Sequence, residues 1–341
     1  MQNLAIKNEG IILEKTEKGF ESQGVFNPGC ILVEDTVHMF YRAVQRGNFS
    51  TIGYCQLRGN KVLSRSVKPL LVPEHDYEAH GLEDPRIVKL DDMYYLFYTA
   101  FNGRNAMVAY ATSRDLKSFE KHGIISPKIV YDDAIALFKK QGLKDGYKEC
   151  KGICEAIGGK NISLWDKDSF IFPKKIGGKF VLLHRVLPDI HIAYFDKFED
   201  LNDKYWEAYL SQLKDYIMME PRYEFETRNI GPGCPPIETP QGWLLIYHGV
   251  QETPEGAIYH AAAALLDLED PRKIIGRLSI PLFSPTEPWE KVGNVNNVVF
   301  PTGAVVIGER LWIYYGAADK VIGAKSLPLA DLITVLLQSK P

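Results

Sequence analysis

Hydrophobic and polar positions along the chain repeat one pattern five times. An aromatic-rich apolar run recurs at residues 38–43, 94–100, 180–185, 243–249 and 311–316. A shorter apolar run precedes each: 30–33 before Glu34-Asp35, 86–90 before Asp91-Asp92, 170–176 before Gly177-Gly178, 236–238 before Gln241-Gly242, and 304–307 before Gly308-Glu309. Short apolar runs joined through Gly- or Asp-bearing turns predict β-hairpins. A third run follows in every copy, at 51–56, 107–112, 190–195, 258–266 and 321–325. Repeats of about 55 to 85 residues, each a small antiparallel sheet, predict an all-β, five-bladed β-propeller.

Superposing the copies places Arg42, Thr99, Arg185, His248 and Tyr315 at one position of the second strand. A second ring, Asn27, Asp84, Asp168 and the glycines around Gly233, stands where the first strands begin. Inner strands of a propeller run beside one central channel, so these rings predict a polar, carboxylate-bearing funnel on the axis. Polar groups at strand starts also cap backbone, so a purely structural role for any one of them stays open. Helix-like spacing at 132–155 and 201–218 breaks the strand rhythm and predicts two short helical insertions. The first falls before blade three and the second between blades three and four, either shaping one face of the disc or packing outside it. Residues 329–337 read as a short closing helix or strand. Five blades consume nearly all of residues 1–341, which predicts a single domain.

Composition changes this picture little. A net charge of −3 gives no argument for nucleic acid or an anionic membrane as partner, and leaves a small neutral ligand as the better fit. Aromatic residues reach 11%, and Tyr and Trp suit stacking on sugar rings as well as a propeller core. Five cysteines, Cys30, Cys55, Cys150, Cys154 and Cys234, form no zinc-type pairing, and their odd number argues against a disulfide framework. Reduced thiols point to the cytoplasm. Residues 1–8 lack the basic and apolar stretches of a signal peptide, although a periplasmic protein trimmed of its signal would look the same. His184 and His248 lack metal-ligand spacing, and no dinucleotide or phosphate-loop glycine pattern occurs, so neither metal nor cofactor is expected. A homo-oligomer is left open.

The sharpest motif is His80-Gly81-Leu82-Glu83-Asp84-Pro85-Arg86. Two adjacent carboxylates precede a proline that fixes the backbone, with an arginine near enough to separate their pKa values, so one of them can serve as a general acid. Asp-Pro is also an ordinary way into a strand. Further blocks are Asp166-Lys167-Asp168, Phe172-Pro173-Lys174-Lys175, Leu183-His184-Arg185, Gly231-Pro232-Gly233-Cys234-Pro235-Pro236, Tyr247-His248-Gly249-Val250 and residues 264–271, followed by 297–303 and 313–319. In order and across almost the whole chain, these blocks resemble glycoside hydrolase family 130. The resemblance implies a five-bladed propeller acting on β-mannosides with inversion, by phosphorolysis or hydrolysis. It implies Asp84 as the acid, passing its proton through a mannose hydroxyl, and Asp168 as a ligand of mannose hydroxyls. Asn27, Arg42 and Asp319 are further candidate sugar ligands, as are Glu83, Arg86, His184, Tyr247 and His260.

An inverting hydrolase needs a second carboxylate with room for water, whereas a phosphorylase needs cations to hold phosphate. Met107 stands where the resemblance places a phosphate-binding arginine, and Tyr259-His260 departs from a basic pattern in the direction of β-1,2-mannosidases. Glu226, Glu252 and Glu255 are candidates to activate water. Arg42, Lys175, Arg185 and His248 are available as an anion clamp, with inorganic phosphate as co-substrate. On balance the departures favour hydrolysis of short β-1,2-mannooligosaccharides. Phosphorolysis to α-mannose 1-phosphate is the alternative enzyme reading, and a non-catalytic carbohydrate-binding propeller the alternative from another class.

Overall fold

A computed structural model describes residues 4–339 of the chain. Five antiparallel blades follow one another as the repeat predicts, the first two joined by a single parallel bridge between Ser50 and Gly81. Blade one comprises Gly24–Val33, Thr36–Gln45, Phe49–Arg58 and Lys61–Arg65, and blade two Gly81–Leu90, Met93–Phe101, Ala106–Ser113 and Glu120–Ile124. Blade three comprises Lys167–Ile171, Phe180–Arg185, Ile190–Phe195 and Ile217–Met219. In blade four the inner strand is split into Asn229–Pro232 and Ile237–Thr239, followed by Gly242–Thr253, Gly256–Leu266 and Ile274–Arg277. Blade five pairs Val299–Ile307, Arg310–Ala317 and Val321–Pro328 with Lys7–Leu13 at its outer edge, so the start of the chain completes the last blade.

All five first hairpins close through two residues, with Val33 opposite Thr36, Leu90 opposite Met93, Ile176 opposite Lys179, Thr239 opposite Gly242 and Ile307 opposite Arg310. Glu34, Asp91, Gly177 and Gly308 take the positive φ that such tight turns demand. The sequence pattern showed three strands per blade. The fourth is short and partly exposed, as in Lys61–Arg65, and carries too little alternation to stand out.

The insertions differ from expectation in place. Helices α1 (Tyr131–Lys140) and α2 (Gly146–Gly158) lie between blades two and three as predicted, but α3 (Asp203–Leu210) lies inside blade three, ahead of its outer strand. A short α4 (Pro288–Lys291) precedes blade five, and α5 (Leu329–Gln338) resolves the closing segment as a helix. All five cysteines are buried and unbonded to one another.

A polar staple recurs inside four blades. A buried glutamate ahead of the inner strand accepts the hydroxyl of a second-strand tyrosine and pairs with a cation from an outer strand. The sets are Glu21 with Tyr41 and Arg65, Glu78 with Tyr98 and Lys121, Glu226 with Tyr247 and Arg277, and Glu290 with Tyr315 and Lys325. Each glutamate is fully buried, so these bonds are what make its charge tolerable there. Blade three replaces the tyrosine by His184, held by Asp166 and by the Tyr209 hydroxyl of α3.

Candidate active site

The inner strands bulge as they reach the axis. Register is lost between Phe26 and Gly29, Glu83 and Arg86, and Lys167 and Phe170, and the residues swung out are Asn27, Asp84 and Asp168 with φ of 50°, 51° and 56°. Asn and Asp tolerate this left-handed conformation better than other side-chain-bearing residues, and a bulge re-aims its side chain. At the matching positions blades four and five carry Pro232 and Pro301, whose ring forbids positive φ. The polar floor is therefore built by three blades. Gly29 and Gly303 let neighbouring inner strands meet: a Cβ at either would stand 2.6 Å from the carbonyl oxygen of Pro85 or Pro28.

These residues line a cavity of about 240 Å3 together with Arg42, Lys167, Arg185, Ile157, Tyr259, Val295, Val298, Phe300 and Asp319. Within it Asn27 Nδ2 donates to Asp84 Oδ1 at 2.7 Å, and the Arg42 guanidinium lies 3.6 Å from the same oxygen. Asp168 is clamped by Arg86 at 2.9 Å and Arg185 at 2.7 Å. Burial alone would raise its carboxyl, but Arg185 and Arg86 overcome that and hold it down to about 2. Asp168 is thus a fixed anion that can accept hydroxyls and cannot donate a proton at neutral pH. Asp84, bonded to a neutral amide and approached loosely by one cation, is free of such a clamp.

Asp319 behaves in the opposite way. Burial, only partly offset by Arg42, pushes it up to about 6, and the charges of Asp84 and Glu83 add to the rise. Its carboxyl takes up a proton more readily in the fold than in the unfolded chain, so this group costs stability as pH rises from about 4 to about 6. Asp319→Asn removes that slope. The unfolding temperature of the variant relative to the parent is expected to increase between pH 4 and pH 7, measured by thermal melts at both; a decrease would mean that pairing with Arg42 dominates.

Six sequence candidates therefore meet in the cavity: Asn27, Arg42, Asp84, Asp168, Arg185 and Asp319. Three more stand just behind its wall. Glu83 binds Arg42 at 2.6 Å and Lys167 at 3.2 Å, holding both cations in place. Arg86 is 1% exposed and spans Asp168 and the Gly233 carbonyl, so it positions Asp168 from beneath the floor. His248 is buried with Nε2 3.2 Å from Arg185, and burial keeps its ring neutral, pushed down to about 3. It steadies Arg185 and supplies no charge to an anion clamp.

The remaining candidates are elsewhere. Glu226 is fully buried, with one oxygen taken by Tyr247 and Arg277 and the other by the amides of Arg222 and Tyr223, which leaves none for water. Tyr247 is its staple partner and His184 is the blade-three substitute, so both are structural. Glu252 is exposed and lies 3.6 Å from Arg228, and Glu255 is at the exposed tip of the same hairpin. Lys175 is exposed in the turn beyond strand Lys167–Ile171, over the Phe180 ring. His260 bonds Ser284 and Gln251 outside the cavity. Tyr315 is one residue out of register with Arg42: Phe300 faces Gly316, as Phe26 faces Arg42, and Gly316 leaves the space that the Asn27 amide fills.

Sequence reasoning missed Lys167, Tyr259 and Phe300. Lys167 could have been found, because it directly precedes Asp168 as Glu83 precedes Asp84, and Phe300-Pro301-Thr302-Gly303 repeats Phe26-Asn27-Pro28-Gly29.

A small polar cavity on the axis of a five-bladed propeller, with carboxylates set against guanidinium groups, defines an enzyme of the glycosidase or phosphorylase kind. Residues 6–338 match the family model described as beta-1,4-mannooligosaccharide phosphorylase, and the chain belongs to this family, glycoside hydrolase family 130. It is 34% identical over 337 residues to a 1,2-beta-oligomannan phosphorylase of Thermoanaerobacter sp. (strain X514), covering 96% of this chain and 97% of the relative. A beta-1,2-mannobiose phosphorylase of the same organism is 36% identical over 335 residues, covering 93% and 94%. Among solved structures, one from the family's glycoside hydrolases that target beta-1,2 mannosidic linkages in Candida mannan aligns with a TM-score of 0.72 and 25% identity, covering 97% of this chain and 93% of the other.

Proposed function

We propose that this chain is an inverting β-1,2-mannoside phosphorylase that releases α-mannose 1-phosphate. The observation that carries the reading is the cavity wall: Arg42, Lys167 and Arg185 face the same space as Asp84, and none of Glu226, Glu252 and Glu255 reaches it. Hydrolysis needs a free carboxylate to activate water, and of those lining the cavity besides Asp84, Asp168 is closed by Arg86 and Arg185 and Asp319 lies beside Arg42, whereas phosphate arrives as an anion and needs cations to seat it. Further donors are waiting. Nε of Arg185, on the cavity wall, and Nε of Arg228, which does not line it, are buried without a hydrogen-bond partner among the described residues. Tyr259, pushed up by burial, lies within electrostatic reach of both these arginines and of Lys167. Met107 pairs with Ala100 and does not line the cavity, so it says nothing against phosphate. The names of the two full-length relatives support both the reaction and the β-1,2 linkage.

In this reading one mannosyl residue occupies the floor, its hydroxyls held by Asp168, Asn27 and Asp319. Phosphate held by Lys167 and Arg185 attacks the anomeric carbon from the face opposite the leaving oxygen. The bond from carbon to that oxygen breaks as the bond to phosphate forms, and Asp84 supplies the proton for the leaving group through a mannose hydroxyl. Incubation with β-1,2-mannobiose, with and without inorganic phosphate, tests the reading by product NMR. α-Mannose 1-phosphate formed only with phosphate is expected; free α-mannose at equal rate without phosphate would establish hydrolysis instead.

A further inference from the structure

The cavity is polar at its floor and apolar at its mouth. Asn27, Asp84 and Asp168 are buried, whereas Ile157 and Val295, which line the same space, are 62% and 43% exposed. They come from separate elements, the end of the α2 insertion and the loop before blade five. We propose that Ile157 and Val295 form an apolar clamp on the leaving-group side of the substrate, setting affinity for the sugar that departs; this rests on the mannoside-cleaving reading above.

Size gives the first argument. At about 240 Å3 the cavity lies below the usual range for drug-sized ligands, so it suits a single sugar ring and leaves the rest of an oligosaccharide at the mouth. The second is chemical. A pyranose ring is edged by hydroxyls but presents C–H groups on its faces, and packing them on a branched aliphatic side chain removes apolar area from water on both partners.

Rigidity is the third. Both residues are held before any ligand arrives. Tyr147, Cys150 and Cys154 bury one face of α2, Tyr147 donates to Asp189 at 2.6 Å, and Gly158, next to Ile157, lies so close to the Arg104 carbonyl that a Cβ would not fit. The amides of Asn294 and Val295 bond the Ala318 carbonyl, and Asn294 Nδ2 bonds the Asp319 carbonyl at 2.8 Å. A backbone held in this way presents both side chains without first having to be ordered on binding.

The test runs the reaction in the synthetic direction, with α-mannose 1-phosphate as donor and mannose or β-1,2-mannobiose as acceptor. Ile157→Ser and Val295→Ser are each expected to raise the acceptor KM about five- to tenfold. The donor KM and kcat should stay within about twofold, because the floor is untouched. Val67→Ser, at a residue 75% exposed and outside the cavity, controls for loss of surface hydrophobicity and should change neither constant. Unchanged acceptor KM in both variants and in their combination would overturn the clamp while leaving the phosphorylase reading intact. If the parent instead hydrolyses β-1,2-mannobiose without using phosphate, that reading falls, and the KM of mannobiose in the same variants decides the clamp. A parent inert with and without phosphate overturns both.

Discussion

Asp84→Asn is expected to lower phosphorolysis of β-1,2-mannobiose by at least about 10²-fold, the scale of losing a general acid. The substitution is close to a pure chemical probe. An asparagine at this site still tolerates the left-handed backbone, and its carbonyl oxygen can still accept from the Asn27 amide that bonds Asp84 Oδ1 at 2.7 Å. What it cannot do is carry a proton to the leaving oxygen. Initial rates of mannose 1-phosphate release should fall through kcat, with KM little changed. Near-normal turnover would move the acid to Asp319, whose carboxyl retains its proton up to about pH 6.

Glu226→Gln is expected to damage the fold and spare the chemistry. The neutral amide leaves Arg277, which is 4% exposed, without its carboxylate in blade four, and it offers the Arg222 and Tyr223 amides a weaker acceptor. Breaking one side of a buried pair costs about 3–5 kcal/mol, read as a fall in the denaturant midpoint. The kcat of the folded enzyme should remain within about twofold of the parent, since Glu226 touches no reacting atom. A collapse of kcat with unchanged stability would restore Glu226 as a water-activating base and favour hydrolysis.

The misassignment of Glu226 shows what the sequence displayed and what it concealed. Five aromatic strands and their two-residue turns announce themselves because a hairpin is a local structure. Asn27, Asp84 and Asp168 are legible because they stand at one repeat position; the backbone strain they share shows only in the fold. The staples were equally present, as Phe20-Glu21, Tyr77-Glu78, Phe225-Glu226 and Trp289-Glu290, one aromatic-Glu pair ahead of each of four blades. Taken together they mark a structural repeat; taken alone, Glu226 looks like chemistry. Lys175 and His260 failed for another reason. Lys175 lies past the end of its inner strand, and His260 turns to the sheet face opposite its neighbour Tyr259, which lines the cavity; which end and which face meet the axis is settled only once the disc is assembled. The fourth strands and the placement of α3 inside blade three depend on packing against neighbours, which no local pattern records.

Residues 7–13 form the outer edge of the blade that begins at residue 299, so the two ends of the chain are sewn into one sheet. The pairing that closes this blade therefore joins segments separated by all the other blades, the most non-local pairing of the ring. Without residues 321–328 the first strand has no partner, and without the segment from 299 to 319 the axial cavity lacks Phe300 and Asp319. Blades one to four each pair within themselves, but the axial cavity needs the fifth, so a chain cut before residue 299 is an open ring without closure and without a complete site.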